Sequence, residues 1–286
     1  LHSVRGRSFE TQAGLDRALC ELDGTPDKSR LGANAVLGVS LAFARAHARE
    51  RCRPLYQHFA DLAGGLSPRL PRPTVNLFSG GKHAGQQVAI QDVLVLPLAA
   101  PTMAAALEQV CAVYRAAAAL VQEKYRSRPL VADEGGLAPA FPDSEALLAD
   151  AVESIRRAGL APGRDMALAV DVASSHFHSA GRYRLDGRDL DSAGMMEHVA
   201  GWVANYPLVS VEDALAEEDW PNWPLLRRRL EGRTLVLGDD FLCTRPERIR
   251  RAIEAGAANA LLLKVNQIGT VTEAAEARRL AAEAGW

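Results

Sequence analysis

From residue 166 onward the chain alternates between short apolar runs and helix-forming stretches. MALAVDVA (166–173), LVSVEDAL (208–215), TLVLGDD (234–240) and ALLLKVN (260–266) read as strands. SAGMMEHVAGWVANY, WPNWPLLRRRL, a stretch over about 245–255 and EAAEARRLAAEA read as helices between and after them. Strands and helices alternating roughly every 25–40 residues predict a parallel sheet, either closed as a (β/α) barrel or open and doubly wound. Two local signals sharpen the helix boundaries. Thr244 with Glu247, and Thr270 with Glu273, have the spacing of capping boxes, while Gly256 and Gly285 supply stop signals.

Upstream, PTVNLFSG and VAIQDVLVLPL read as two opening strands, followed by helices over about 102–126 and 143–158. Together with the four later runs this makes six strands, where a closed barrel of this type needs eight. GGLSPRLPRP (64–73) is dense in glycine and proline and reads as a boundary. The expected division is therefore a mostly helical segment, 1–69, and a larger α/β region, 70–286. Within the first, ANAVLGVSLAFARAHARE (33–50) is rich in good helix formers and carries an apolar stripe.

Charges sit where the strands end. Asp171 shares a face with Ala167 and Ala169, Glu212 with Ser210 and Leu208, and Asp239 with Leu237 and Leu235. In ALLLKVN, Leu262, Lys264 and Asn266 share one face and Leu261, Leu263 and Val265 the other. A buried ammonium without a partner is costly, so Lys264 either reaches water or points at a site that wants a cation. In a parallel β/α fold the carboxyl ends of the strands lie on one side. Three carboxylates and an ammonium would then meet at one mouth. Carboxylates that close repel unless a cation sits among them, and an oxygen-only donor set suits a hard divalent ion, Mg²⁺ before Zn²⁺. A single acidic strand end is better explained as a helix cap or surface ion pair; three in succession favour the metal.

Two further stretches carry polar groups on turns. VADEGGLAP places Asp133 and Glu134 before Gly135-Gly136, and NLFSGGKHAGQQVAIQD offers Gly80-Gly81, His83, Gln91 and Asp92. Taken alone, the first is an acidic turn and the second a loop with a surface histidine. The second also lacks the spacing and terminal Lys-Ser/Thr of a phosphate-binding loop.

The bulk properties narrow the function classes. The formal net charge is −2, so no global field draws the chain to nucleic acid or to a membrane surface. Arg227-Arg228-Arg229 is read as a solvated helix face. The four cysteines form no C-x-x-C pair and do not cluster with histidine, which predicts reduced thiols in a cytoplasmic protein. No apolar run is expected to approach the ~20 residues of a membrane span, and no secretory leader opens the chain, which begins with Leu1 rather than Met.

At these residues the sequence resembles enolase, the glycolytic phosphopyruvate hydratase family. LDGTPDKSRLGANAVLGVSLAFARA resembles the helix pair of its N-terminal domain. NLFSGGKHAG, AIQDVLVLP, VADEGGLAP, DVASS, YPLVSVEDALAEEDW, LGDDFLCT and LLLKVNQIGTVTE resemble its barrel motifs in the family's order. The resemblance implies a partial N-terminal capping domain and an incomplete (β/α)8 barrel with a ββαα opening. It implies a lyase that dehydrates 2-phospho-D-glycerate to phosphoenolpyruvate with Mg²⁺. By the same resemblance Asp171, Glu212 and Asp239 are metal ligands, Lys264 is the base that takes the C2 proton, and Glu134 belongs to the acid side that helps hydroxide leave C3. His83 matches a loop histidine near the substrate, and Asp92 stands where the family has a glutamate that assists the acid. The expected partner is a small phosphorylated substrate, with no nucleic acid and no membrane span, and the full-length family is usually a homodimer.

The sequence also departs from the family. Asp92 is one methylene shorter than glutamate, His176 and His178 stand where the family usually has Glu and an aromatic residue, and Ala132 replaces a glycine. The family's N-terminal serine-containing loop would lie upstream of Leu1, and its S-H-R-S motif and second active-site lysine would follow Trp286. The expectation is an enolase fragment or divergent copy with poor activity. The competing expectations are a non-catalytic enolase-like binding or scaffold protein and, less well matched to three carboxylates, a barrel enzyme in which Lys264 forms a Schiff base.

Overall fold

The computed structural model describes residues 4–286, which divide into two compact units. The first takes in the residues up to Arg69 together with Leu242–Ala255 and Ala260–Trp286; the second comprises Leu70–Phe241 and Gly256–Asn259.

In the first unit, helix α1 (Gln12–Asp23) starts where the Thr11 hydroxyl accepts the Gly14 N–H, and ends at Gly24, which takes the left-handed conformation. Helix α2 (Ala33–Glu50) covers the predicted run, and α3 (Leu55–Leu62) follows it. Leu15, Leu19 and Val36 form a buried cluster flanked by Val4, Phe9, Val39 and Phe43. Where α2 meets α3, the rings of His47 and His58 touch edge to face at 5.2 Å. Neither His47 Nδ1 nor His58 Nε2 has a hydrogen-bond partner, and His58 is buried.

The second unit is built on a sheet. Strands β1 (Val75–Ser79) and β2 (Asp92–Pro97) pair antiparallel, and β2 pairs antiparallel with β3 (Met166–Asp171). Helices α4 (Met103–Tyr125) and α5 (Ser144–Arg157) lie between β2 and β3 in the chain and pack on one another. Next comes a meander that the sequence reading did not anticipate: β4 (His178–Ser179), β5 (Arg182–Leu185) and β6 (Arg188–Leu190). Its turns are Ala180-Gly181 and Asp186-Gly187, with both residues of each pair at positive φ, as two-residue hairpins require. Helix α6 (Ser192–Asn205) then leads to β7 (Leu208–Glu212), which runs parallel to β3; α7 (Trp223–Arg229) leads to β8 (Leu235–Gly238), parallel to β7. The sheet does not close into a barrel among the described residues.

The core of this unit holds Leu77, Phe78, Leu168, Val170, Val211 and Trp202 at essentially zero exposure. Trp223 stacks on Phe241 at 4.0 Å, anchoring the turn after β8. The expectation about apolar length needs correction: α4 has 23 residues and a window of mean hydropathy 1.4, long and apolar enough on composition alone to cross a membrane. Here it presents Ala106, Val110, Val113, Ala117, Leu120 and Val121 as a buried face, and its end is tied down by Lys124 and Tyr125 bonding to Asp150. That is a helix with one face packed against the fold and the other exposed.

The last part of the chain returns to the first unit. It contains α8 (Pro246–Ala255), β9 (Ala260–Leu261), a short α9 (Val265–Ile268) and α10 (Val271–Glu283). Two sequence readings are revised here. The last strand stops at Leu261 rather than running to Asn266, and Lys264 is the residue at the N-cap of α9. Its backbone N–H donates to Thr244 Oγ1 at 2.9 Å. The Thr244 hydroxyl is therefore engaged by residues 18 to 23 positions further on. Thr270 does cap α10, accepting from Glu273 N–H at 3.2 Å. The Glu273 carboxylate reaches back to Thr270 through that residue's hydroxyl, accepting its O–H, and pairs with buried Lys28 at 2.9 Å. Thr272 is held at both its N–H and hydroxyl by Asp16, and Val271 N–H donates to Ser40 Oγ.

Candidate active site

Strand register lines up the acids of the second unit. Ser79 pairs with Asp92, Asp92 with Asp171, and Asp171 with Glu212, so four polar residues sit at one level on adjacent strands. Paired residues in a sheet project to the same side, so these groups share a face. Glu212 pairs with Leu237, and Asp239 lies two residues further on, just past the end of β8. The three strand ends singled out from sequence, Asp171, Glu212 and Asp239, therefore close adjacent parallel strands on one side. The charge of Asp239 is near enough to act on Asp171.

This row is buried. Asp171 is 9% exposed, Asp239 6% and Asp92 2%. Burial pushes the Asp171 carboxyl well above the usual carboxylate range, and repulsion from Asp92 and Asp239 adds to it. Hydrogen bonds from Gln91 Nε2 at 2.9 Å and from Ala173 N–H at 3.0 Å oppose the rise. Gln91 leaves its own amide oxygen buried without a partner. Repelling buried carboxylates beside an unsatisfied acceptor oxygen are the electrostatic setting that a hard divalent cation relieves. The residues present thus fit such an ion.

Asp213, which the sequence reading passed over, organises this corner. Its carboxylate accepts the backbone N–H of Asp239 at 3.0 Å, of Asp240 at 2.7 Å and of Phe241 at 3.4 Å. Asp213 itself sits at φ +42°, turning its side chain under the neighbouring loop. Burial raises its carboxyl far above the ordinary value, followed by repulsion from Asp171. The available sequence signal was the doublet Glu212-Asp213, in which alternation sends the two acids to different surroundings.

The residues on the turns form a second group. His83 Nδ1 lies 2.7 Å from Asp92 Oδ2, and Ser79 Oγ donates to Asp92 Oδ1. Glu134, with its side chain 55% exposed, lies with one carboxylate oxygen 3.9 Å from His83 Nε2. Its other oxygen accepts from Asn76 Nδ2 at 3.1 Å. The turn before Gly136 is fixed by Tyr114, whose hydroxyl donates to Gly135 O at 2.7 Å. Gly136 must lack a side chain, because a Cβ there would overlap Ser79 Oγ. Asp92 and Glu134 therefore meet across one histidine, while Lys264 is carried by the first unit at the start of α9. Burial raises the Asp92 carboxyl, although the hydrogen bonds from Ser79 and His83 work the other way.

The family model "Enolase, C-terminal TIM barrel domain" matches residues 67–286, and "Enolase, N-terminal domain" matches residues 2–59. The chain is 46% identical over 283 residues to the enolase of Acidothermus cellulolyticus; the match covers 99% of this chain and 65% of that relative. The chain thus spans a little under two thirds of the length of the relative it matches. With two domain matches in the family's order and acids at consecutive strand ends, the chain belongs to the enolase family.

Proposed function

We propose that this chain carries the acid–base and metal-binding groups of a phosphopyruvate hydratase, acting on 2-phospho-D-glycerate in glycolysis, with turnover well below that of a complete relative. The observation that supports this reading most is the row of acids at the strand ends, buried Asp171 level with half-buried Glu212 and buried Asp239 close by. Asp171, Glu212 and Asp239 would hold Mg²⁺. When bound, that ion would supply stabilisation of the negative charge that builds on the substrate carboxylate as the adjacent proton leaves.

The remaining roles fall to side chains. Lys264 would take the C2 proton, which requires surroundings that disfavour its ammonium form. Glu134 would protonate the departing C3 hydroxyl. His83 and Asp92 would line the substrate side. The reduced turnover is inferred from Asp92: its short carboxylate is already occupied by Ser79 and His83 and is 2% exposed, so it is poorly placed to assist Glu134. A cytoplasmic location is in keeping with the four free cysteines, and homodimerisation with family membership.

The test is the rate of phosphoenolpyruvate formation by the purified chain with Mg²⁺. A low, Mg²⁺-dependent rate abolished by Lys264→Ala is the expected result. A rate equal to that of a complete relative would overturn the impairment. Stabilisation by Mg²⁺ without any turnover would favour the second reading, a non-catalytic enolase-like binding or scaffold protein, to which the occupied Asp92 also lends support.

A further inference from the structure

Residues of the loop that leads into β2, of the turn after β3 and of the hairpin between β5 and β6 together line a cavity of about 390 Å³. That is the size of a small-metabolite pocket. None of the strand-end acids lines it, and neither do His83, Asp92 and Glu134. Its loop wall is tied down. Gly81 N–H donates to Val88 O at 2.9 Å, Gln86 N–H to Gly81 O at 3.1 Å, and Gln87 Nε2 to Ser79 O at 3.1 Å. Val88, Pro142 and Phe177 supply apolar lining, and Lys82 and His176 supply basic groups. Among the described residues, neither of those two side chains has an ion-pair or hydrogen-bond partner.

The two basic groups are close enough to interact. Burial lowers the His176 pKa, and the charge of Lys82 lowers it further; Asp240 works the other way, and His83 adds to the fall. This is the acid row with the sign reversed: cationic groups brought together, whose natural partner is an anion. A neutral imidazole still donates one ring N–H, and the lysine ammonium donates three. The carboxylate in the lining is that of Asp186, and it is already engaged. Its Oδ2 accepts the Ser144 N–H at 3.1 Å, in the first turn of α5, where the helix dipole offsets its charge. We propose that this cavity binds a small oxyanion, the phosphate or carboxylate group of a metabolite, with Lys82 supplying the charge and His176 a ring N–H. Val88, Pro142 and Phe177 cover the carbon skeleton of such a ligand. Binding does not depend on the reaction proposed above.

The experiment uses the whole chain with ¹⁵N-labelled histidine and no added divalent cation. It is titrated with sodium phosphate, with sodium succinate and, at matched ionic strength, with NaCl. The expected result is a saturable shift of the His176 ring resonances, assigned by their loss in His176→Gln, with phosphate or succinate and none with NaCl. Tighter binding of phosphate assigns the site to phosphorylated ligands, and tighter binding of succinate to carboxylates. By calorimetry, Lys82→Ala and His176→Gln should each weaken binding roughly tenfold, the effect of removing one hydrogen bond to a charged group. Asp186→Asn should tighten it by removing a repelling charge. Lys82 and His176 are exposed, so neither substitution threatens the fold. Unchanged affinity in both Lys82→Ala and His176→Gln, a shift confined to other histidines, or no saturable shift with either anion would overturn the proposal. Phosphoenolpyruvate formation with Mg²⁺ separately decides the fate of the proposed reaction.

Discussion

The carboxylate of Asp213 receives the backbone N–H of Asp239 at 3.0 Å, so one acid fixes the main chain that carries another. Two more amides, those of Asp240 and Phe241, point to the same carboxylate. Asp213→Asn turns one acceptor into a donor facing these amides. The expected cost is about 1–3 kcal/mol, the penalty for a buried donor left unpaired. Urea unfolding of the parent and the variant measures it. A variant as stable as the parent would remove Asp213 from this organising role.

Relief of the repulsion that Asp239 and Asp92 exert on Asp171 should make the fold respond to divalent cation. Ligand that binds only the folded state at 100 times its dissociation constant adds about 2.7 kcal/mol. The expected outcome is a rise of several degrees in thermal midpoint on adding Mg²⁺, abolished in Asp171→Ala and Asp239→Ala. Equal midpoints with and without Mg²⁺ would show that the acids do not act together.

His58 supplies a pH dependence in the first unit. Burial lowers its pKa below the ordinary value, and the neighbouring His47 and Arg51 lower it further. The unfolded chain takes up this proton from about pH 6.5 downward, while the folded chain takes it up only at lower pH. The unfolded state binds more protons in that window, so the stability His58 contributes is present above it and is lost as pH falls. Between pH 7.5 and 5.5 the urea midpoint of the parent should fall relative to that of His58→Leu, a difference in which the opposing effect of the raised Asp171 and Asp213 carboxyls cancels. Burial lowers the His198 pKa as well, and its contribution remains in the variant.

Gly136→Ala should be costly although its φ is ordinary. The added methyl would overlap Ser79 Oγ and lie 3.0 Å from the Phe78 carbonyl carbon, pressing on the strand that bonds to Asp92. Overpacking of this kind costs about 1–3 kcal/mol. A loss well under 1 kcal/mol by chemical denaturation would show that β1 yields freely.

Much of this arrangement could be read in advance, and the exceptions have physical causes. The helices Ala33–Glu50, Met103–Tyr125 and Ser144–Arg157 fall where helix formers and apolar spacing put them, because their local preferences and packing agree. The acidic strand ends were legible because alternation on a strand is strict. The run LLLKV pairs as a strand only as far as Leu261, although Lys264 keeps extended backbone: Thr244, 20 residues earlier, takes the Lys264 N–H, and no local propensity reveals such a tertiary contact. The meander was missed because its strands are only two to four residues long, although Asp186-Gly187 is a recognisable hairpin turn. Asp213 was overlooked because a residue whose work is to receive amides from another loop has no pattern of its own.

The alignment of Ser79, Asp92, Asp171 and Glu212 is fixed by the hydrogen-bond ladder between strands, and the loops have no part in it. The ladder is a ruler with marks about 4.8 Å apart. Insertions and deletions in the connecting segments cannot alter that spacing so long as the pairing survives. A slip of a single residue between β2 and β3, by contrast, would rotate every side chain of one strand to the opposite side and scatter the acids at once. Drift in the turns is therefore tolerated far better than drift in register.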